Sequence, residues 1–512
     1  MSKLTQALFR RKISFHDLEF SKLNKCLSSW DLTLMGIGAI IGTGIFVLTG
    51  VAAATQAGPA VVLAFVVAGI ACAFAALSYA ELASSVGGSG SAYGYSYAAF
   101  GELIAWMIGW DLVLEYGVSV AAVANGWSGY FNNALQAIGI GLPEVLTKGP
   151  HITASLFSCD MNAGAEAING VFMKISSCLN TINFTPSFSI DFTHGYINIA
   201  AFTIILMLMF MLIIGIKQSA RLNAGMVFVK VLTICIFIAV AAFNVKPELW
   251  SPFIPFGWFD HTEAGKTIGV LAAASLVFFA YVGFDAVSTA VDEAKDPQRS
   301  VPIGILSSLV FCTVIYIIVS GLLTGIVPYT ELNVSSPVAF ALQKIGYNWA
   351  SALVATGVIA GLTTVMLVLY YALTRVIFAI SRDGLLPQSL GTVNEKTQTP
   401  VRTTVICGII MAVMAGFVPL GALAELVNIG TLAAFVLVCA GVIVMRLRHP
   451  EMPRPFKMPF GILLPVLGVL SCLALICFLP LITHMRFGLW MLAGLVIYFG
   501  YSIRKSKLAT AA

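Results

Sequence analysis

The sequence predicts an all-α membrane protein built from twelve transmembrane helices. Of its 512 residues, 59% are hydrophobic and 10% charged, whereas a water-soluble surface requires about 25% charged residues. The apolar residues also gather into twelve continuous stretches, centred on 32–56, 60–83, 103–130, 196–216, 222–244, 267–290, 302–326, 350–378, 403–418, 421–446, 461–482 and 487–503. None alternates with the two-residue period of a membrane β-barrel. At ~20 residues to cross ~30 Å of hydrocarbon, twelve crossings use about half of the chain. A lipid bilayer is the partner this composition demands. Soluble enzymes, nucleic-acid binders and secreted modules are excluded, and the net charge of +5 requires no nucleic acid.

The stretches, numbered here as segments 1 to 12, divide the chain into a polar segment 1–30, a ten-helix core 31–446, a further helix pair in 447–503 and a tail 504–512. Orientation follows from Lys and Arg, which are retained on the cytoplasmic side. With the N-terminus inside, 21 of the 28 cations fall on the inner face. Six fall outside (Lys148, Lys174, Lys246, Lys266, Lys344 and Arg486), and Lys230 lies within segment 5. Both termini are therefore expected in the cytoplasm, and no cleavable signal core is evident in the polar first thirty residues.

Eight of the ten cysteines lie in or beside apolar segments, as small hydrophobes do. Cys159 and Cys178 share the long external loop 142–195, where a disulfide and two free thiols are both open. No histidine is expected within a span, which removes a histidine proton relay. No metal-ligand pattern occurs, and neither a metal nor a cofactor is expected.

Segments 1 and 6 are interrupted near their middles, five segments apart. Segment 1 reads Gly36-Ile37-Gly38-Ala39-Ile40-Ile41-Gly42-Thr43-Gly44, and each glycine weakens a helix by about 1 kcal/mol relative to alanine. Gly42 and Gly44 leave N–H donors free at the start of a half-helix, a place that attracts a carboxylate. Small-residue helix packing explains the same glycines when they are taken alone. Segment 6 reads Phe278-Phe279-Ala280-Tyr281-Val282-Gly283-Phe284-Asp285, and its freed carbonyls suit an amino group. Paired interruptions mark the substrate site in transporters built from inverted repeats, because irregular backbone survives at membrane depth only beside a cavity. Donors on one break and acceptors on the other match a zwitterion.

The strings GIGAIIGTGIF (36–46), GPAVVLAFVVAGIACAFAALSYAELA (58–83), GSGSAYGYSYAAFGELIAWMIGWDLVLEY (88–116), FFAYVGFDAVSTAVDEAKDPQRSVPIGI (278–305) and RDGLLP (382–387) resemble the amino acid-polyamine-organocation superfamily, specifically bacterial relatives of the cationic amino acid transporters. The resemblance covers nearly all segments and leaves out the long external loop. It implies a five-plus-five inverted-repeat fold with alternating access and broken helices 1 and 6, followed by two further helices, in a bacterial inner membrane. It also implies transport of L-amino acids, with the substrate carboxylate at Thr43 and Gly44 and the amino group at carbonyls near Ile41, Phe279, Ala280 and Val282.

Charges inside a span cost roughly 3 kcal/mol each and are functional candidates for that reason. Lys230, flanked by apolar residues within AGMVFVKVLTICIF, is the first candidate for releasing and rebinding a proton. The alternative is a lysine that snorkels to the interface. By resemblance, Lys230 takes the place of a sodium ion against segment 1, and Thr363 and Thr364 belong to the stretch that completes that sodium site in sodium-driven relatives. A fixed ammonium repels sodium, so proton coupling is expected, with the threonines bonded to Lys230, lining the pocket or bonded back into their own helix.

Asp111 and Glu115 are four apart and share a face of segment 3; Glu115 is the second proton-coupling candidate, against a structural ion pair. Asp285 either caps the half-helix after the break or contributes to gating. Glu293, Lys295, Asp296 and Arg299 suggest inner-face ion pairs. Asn125 and Leu362 are expected to border the side-chain pocket, with an interhelical hydrogen bond as the alternative for Asn125.

These readings converge on a secondary importer of L-amino acids coupled to protons. An exchanger without net proton coupling is the alternative. A channel filter, a signalling extension and catalytic motifs are not apparent, and nothing in the sequence speaks for an accessory subunit.

Overall fold

A computed structural model describes residue 10 and residues 27–86, 91–137, 139–158, 183–191, 195–214, 220–261, 267–394 and 399–507. Cys159 and Cys178 lie outside the described residues. Among the described residues, eight helices are long and apolar enough to cross a membrane, and the helices Ile199–Ile214, Val401–Phe417 and Leu463–Cys477 are shorter and apolar. The protein is a helical, multi-pass membrane protein.

Segment 1 begins with a capping box. Asp31 N–H donates to Ser28 Oγ at 3.3 Å and Ser28 N–H to Asp31 Oδ2 at 2.9 Å, so donors at the helix start are satisfied reciprocally. The helix Ser29–Ile40 ends at Ile41 and resumes as a wide turn over Gly44–Leu48. Segment 2 is Val61–Ser85, segment 3 is Glu102–Ala137, and segments 4 and 5 are Ile199–Ile214 and Ala220–Ala242. Segment 6 is Val270–Val277, tightening to a 3₁₀ turn over Phe278–Tyr281 and restarting as Phe284–Glu293. Segments 7 and 8 are Pro297–Ile326 and Asn348–Arg382; segments 9 to 12 are Val401–Phe417, Leu420–Arg448, Leu463–Cys477 and Leu481–Ile497.

Three features depart from the sequence reading. Segment 12 starts six residues before the apolar run, so His484 lies inside a helix; its Nδ1 sits 3.0 Å from Pro480 O. The first turn of that helix tolerates polar residues because its backbone and side-chain groups bond back to Pro480. The loop between segments 3 and 4 holds an antiparallel hairpin, His151–Ser158 paired with Asn183–Asp191, and a two-residue pair joins Asp260–His261 to Thr267–Ile268. Short helices Ser91–Ala99 and Pro337–Lys344 also fill what read as loops.

Segment 1 packs against segments 5, 6 and 7, segment 2 against 7 and 10, and segment 3 against 8 and 10. Tyr79, Phe278, Phe284 and Phe435 form an aromatic knot joining segments 2, 6 and 10, with ring centroids 5.0–5.9 Å apart. Segment 12 is fixed to segment 3 by two indoles, Trp110 and Trp490, stacked at 4.4 Å. Each donates its Nε1–H to the other's backbone carbonyl, at 2.9 and 3.2 Å.

A buried carboxylate ties segment 2 to the polypeptide after segment 10. Glu81 receives both Arg446 Nε and Nη2, accepts from Met458 N–H at 2.8 Å, and lies 3.5 Å from Arg454 Nε. Removing one partner from such a site leaves desolvated charges unpaired, at a cost of about 3–5 kcal/mol. Glu81→Ala is therefore expected to lower the melting temperature in detergent clearly, whereas Glu81→Gln, which keeps an acceptor for Arg446 and Met458 N–H, should lower it less.

Candidate functional site

The two breaks meet backbone to backbone. A Cβ at Gly44 would lie 2.2 Å from Ala280 Cα, so only glycine permits this approach. On the other side of the crossing, Gly283 adopts φ 116°, and a Cβ there would lie 3.0 Å from Ala39 O. The glycines let two unwound stretches share one volume.

Unwinding frees backbone groups that lipid cannot satisfy, and polar side chains from other segments reach them. The Tyr316 hydroxyl of segment 7 lies 2.8 Å from Ile40 O and 2.9 Å from Ala280 O, one proton within reach of a carbonyl on each break. Tyr130 of segment 3 donates to Phe46 O at 2.8 Å. Lys230 of segment 5 donates from Nζ to Gly38 O at 2.6 Å. Its stem lies against Gly361 of segment 8, where a Cβ would come 2.8 Å from Lys230 Cγ. The lysine is 1% exposed, so it does not snorkel.

Ile41, Gly42, Thr43 and Gly44 are buried at the first break, with Phe279, Ala280 and Val282 buried at the second. Ile41 N–H closes the first half-helix onto Ile37 O at 3.0 Å. Thr43 stands at the head of the second half-helix without a side-chain capping bond, and its Oγ1 is buried without a protein partner among the described residues. Leu362 is fully buried, and Val365, also on segment 8, faces Gly42. The site therefore presents backbone donors, freed carbonyls, one unspent hydroxyl and apolar walls.

Residues 27–500 match the amino acid permease family. The chain belongs to that family. It is 46% identical over 508 residues to the branched-chain amino acid permease BcaP of Bacillus subtilis (strain 168), covering 98% of this chain and 99% of that one. It is 45% identical to the methylthioribose transporter of the same organism, over 95% of each chain. Cationic amino acid transporter 4 of Homo sapiens is 34% identical over 89% of this chain and 65% of its own. Membership in a permease family makes the chain a membrane transport protein.

Several candidates in this permease stand differently from the pocket reading. The Asn125 amide is spent between helices: Nδ2 lies 3.1 Å from Ala415 O and 3.2 Å from Ala121 O, and Oδ1 accepts from Asn198 Nδ2 at 3.1 Å. Thr363 Oγ1 donates to Ile359 O at 2.8 Å and accepts from Trp127 Nε1 at 3.0 Å. Thr364 Oγ1 donates to Gly361 O at 2.7 Å. Both threonines thus bond back into their own helix. Asp285 lies in the first turn after the break, where backbone N–H groups of Gly283, Asp285 and Ala286 bond its carboxylate, as the capping alternative expects; its Oδ2 also accepts from Tyr116 at 2.9 Å.

Asp111 and Glu115 are buried on segment 3, and none of the ion pairs among the described residues involves them. In the stretch 293–299 it is the backbone that binds: Lys295 N–H donates to Leu27 O at 2.9 Å, and Leu27 bridges to Ala294. The side chain of Glu293 lies outside the described residues.

Tyr316 and Tyr130 escaped the sequence reading. Their signal was a phenol in a membrane segment, where the hydroxyl must find a partner. The crossing gives a direct expectation. Gly44→Ala forces a methyl into Ala280 and should abolish ligand-induced thermal stabilisation, whereas Gly421→Ala, with open space around it, should leave stabilisation unchanged.

Proposed function

We propose that the protein is a twelve-span secondary transporter, with both termini cytoplasmic, that imports neutral L-amino acids by proton symport through alternating access. The reading places residues 31–446 in a five-plus-five inverted repeat and segments 11 and 12 outside it. The observation that carries it is the pair of facing breaks, with donors at Gly42, Thr43 and Gly44 and carbonyls at Ile41, Phe279, Ala280 and Val282. A carboxylate binds the positive end of the outer half-helix, and an ammonium takes the carbonyls of segment 6.

The substrate side chain points at Leu362, Phe279, Val282 and Val365, an apolar wall suited to a branched aliphatic group. A cationic side chain needs a facing carboxylate, and Leu362, Phe279, Val282 and Val365 include none. The branched-chain permease of B. subtilis, at 46% identity, supports the same class. The methylthioribose transporter, at 45%, gives a second reading: a methylthio-sugar lacks the carboxylate and amino group that the breaks suit, but would fill the same apolar wall.

Proton coupling rests on Lys230. A tethered ammonium on Gly38 O stands where a sodium ion would need carbonyl ligands, and the two charges repel at short range. Glu115 is the second proton carrier. Exchange without net proton movement is the alternative.

Uptake into proteoliposomes decides among these readings, using labelled L-isoleucine, L-alanine, L-lysine and methylthioribose under an inward pH gradient, an inward sodium gradient or internal preloading. Accumulation of L-isoleucine driven by the pH gradient, and lost in Lys230→Ala, is the expected result. Uptake that ignores both gradients and requires preloading makes the protein an exchanger. Selective uptake of the sugar reverses the substrate assignment.

A further inference from the structure

Segments 3 and 10 face each other across a seam that is polar yet buried. On segment 3, Asp111, Glu115 and Ser119 succeed one another at four-residue intervals, one stripe of the helix, and all are at most 2% exposed. On segment 10, Asn428 and Thr431 stand one turn apart and are fully buried. Asp111 Oδ1 lies 2.6 Å from where a Cβ on Gly430 would sit, and Thr431 faces Glu115.

Asp111 Oδ1, Ser119 Oγ and Asn428 Oδ1 are buried oxygens without a protein partner among the described residues, and the Thr431 hydroxyl has Glu115 alone within reach. One such group costs about 1–3 kcal/mol, so a row of them along one seam is stabilised by a mobile donor and acceptor bound there. Water meets that requirement, since buried water bridges roughly three polar groups and settles where they converge. Neither carboxylate alone makes this case; Ser119 Oγ and Asn428 Oδ1 are neutral and unspent.

Asn428 also shows that the seam reaches the substrate break. Its Nδ2 donates to Ser275 O at 2.7 Å and Leu276 O at 3.1 Å, just before segment 6 tightens towards Phe279. The titratable groups facing Glu115 are Asp111 and Tyr116 from its own helix, Asp285 from segment 6 and Tyr79 from segment 2.

We propose that the seam between segments 3 and 10 binds a chain of internal water molecules through Ser119, Asn428, Thr431 and Asp111, and that this chain conducts the proton to and from Glu115. The proposal rests on the proton-symport reading and adds the route. A proton relayed by the waters adds to a Glu115 carboxylate oxygen and later leaves by the same O–H bond; no electron moves. Thr431 and Ser119 act by positioning water and touch no substrate.

The test separates proton-driven uptake from exchange in proteoliposomes, with a labelled mixture of the protein amino acids as probe. Thr431→Val keeps the side-chain volume and removes the hydroxyl. It should reduce pH-driven accumulation about tenfold or more, as loss of a proton-relay partner does, while counterflow stays near wild type; Thr431→Ser should restore accumulation. Ser119→Ala should act in the same direction. Equal losses in both assays would mean a folding or packing role, and unchanged accumulation would mean no role; either overturns the route.

Wild-type protein that exchanges but ignores the pH gradient removes the symport reading and the conduction claim together. The water chain itself is then judged by X-ray radiolytic footprinting of the intact protein. Oxidation at Tyr116 and Phe435 that falls in Thr431→Val upholds bound water, and absence of oxidation in wild type overturns it.

Discussion

Backbone polar groups exposed at membrane depth are the constraint from which the rest of this structure follows. An unpaired N–H or C=O in hydrocarbon costs several kcal/mol, and two broken helices release a set of them at one level. The donors that answer come from other helices: Tyr316 of segment 7 at Ile40 and Ala280, Lys230 of segment 5 at Gly38, Tyr130 of segment 3 at Phe46, and Asn428 of segment 10 at Ser275 and Leu276. Each break therefore obliges its neighbours to pack close and in register. The absence of side chains at Gly44 and Gly283 is what brings the breaks near enough for one tyrosine to serve both.

The same constraint separates what could be read from the sequence from what could not. Apolar length and the glycine runs of segments 1 and 6 are local properties, and the helices and both interruptions follow from them. Partners are not local. Asn125 meets carbonyls at the end of segment 9 and the amide of Asn198 at the start of segment 4, contacts that no spacing within segment 3 announces. Thr363 and Thr364 became candidates through the resemblance to a stretch that completes a sodium site, and of the alternatives open to them the structure shows the bond back into their own helix, a hydroxyl's nearest acceptor being the carbonyl one turn back. His484 was misplaced because a polar turn ends a hydropathy run without ending a helix. The hairpin between segments 3 and 4 did carry a local signal, the alternation of Phe184, Pro186, Phe188 and Ile190 with polar neighbours along Asn183–Asp191, which a reading by apolar length passes over.

The acids show the limit most clearly. Four-residue spacing put Asp111 and Glu115 on one face, and the ordinary expectation for such a pair is a cation opposite. The facing helix supplies Gly430, Thr431 and Asn428 instead, one small and two neutral polar residues. Nothing in segment 3 distinguishes those outcomes; the difference lies in segment 10, three hundred residues later in the chain.

Lys230 differs from a transported ion in one respect that bears on coupling. A bound sodium ion holds its carbonyl ligands only while present and leaves them empty on release. A tethered ammonium never leaves; it changes the strength of its bond. Charged, it makes a charge-assisted hydrogen bond to Gly38 O, roughly twice as strong as a neutral one; uncharged, it keeps a weak amine contact. Gly38 lies in the inner half-helix Ser29–Ile40, the part that must separate from segments 5 and 8 to open the site inward in the proposed cycle. A proton then acts as a ligand with different affinities for two conformations, which is the thermodynamic requirement for coupling. This lysine lies against Gly361 on segment 8 while Glu115 faces segment 10, so the two proposed proton sites bear on different helix contacts. One proton at each would bias the same equilibrium without either group touching the substrate.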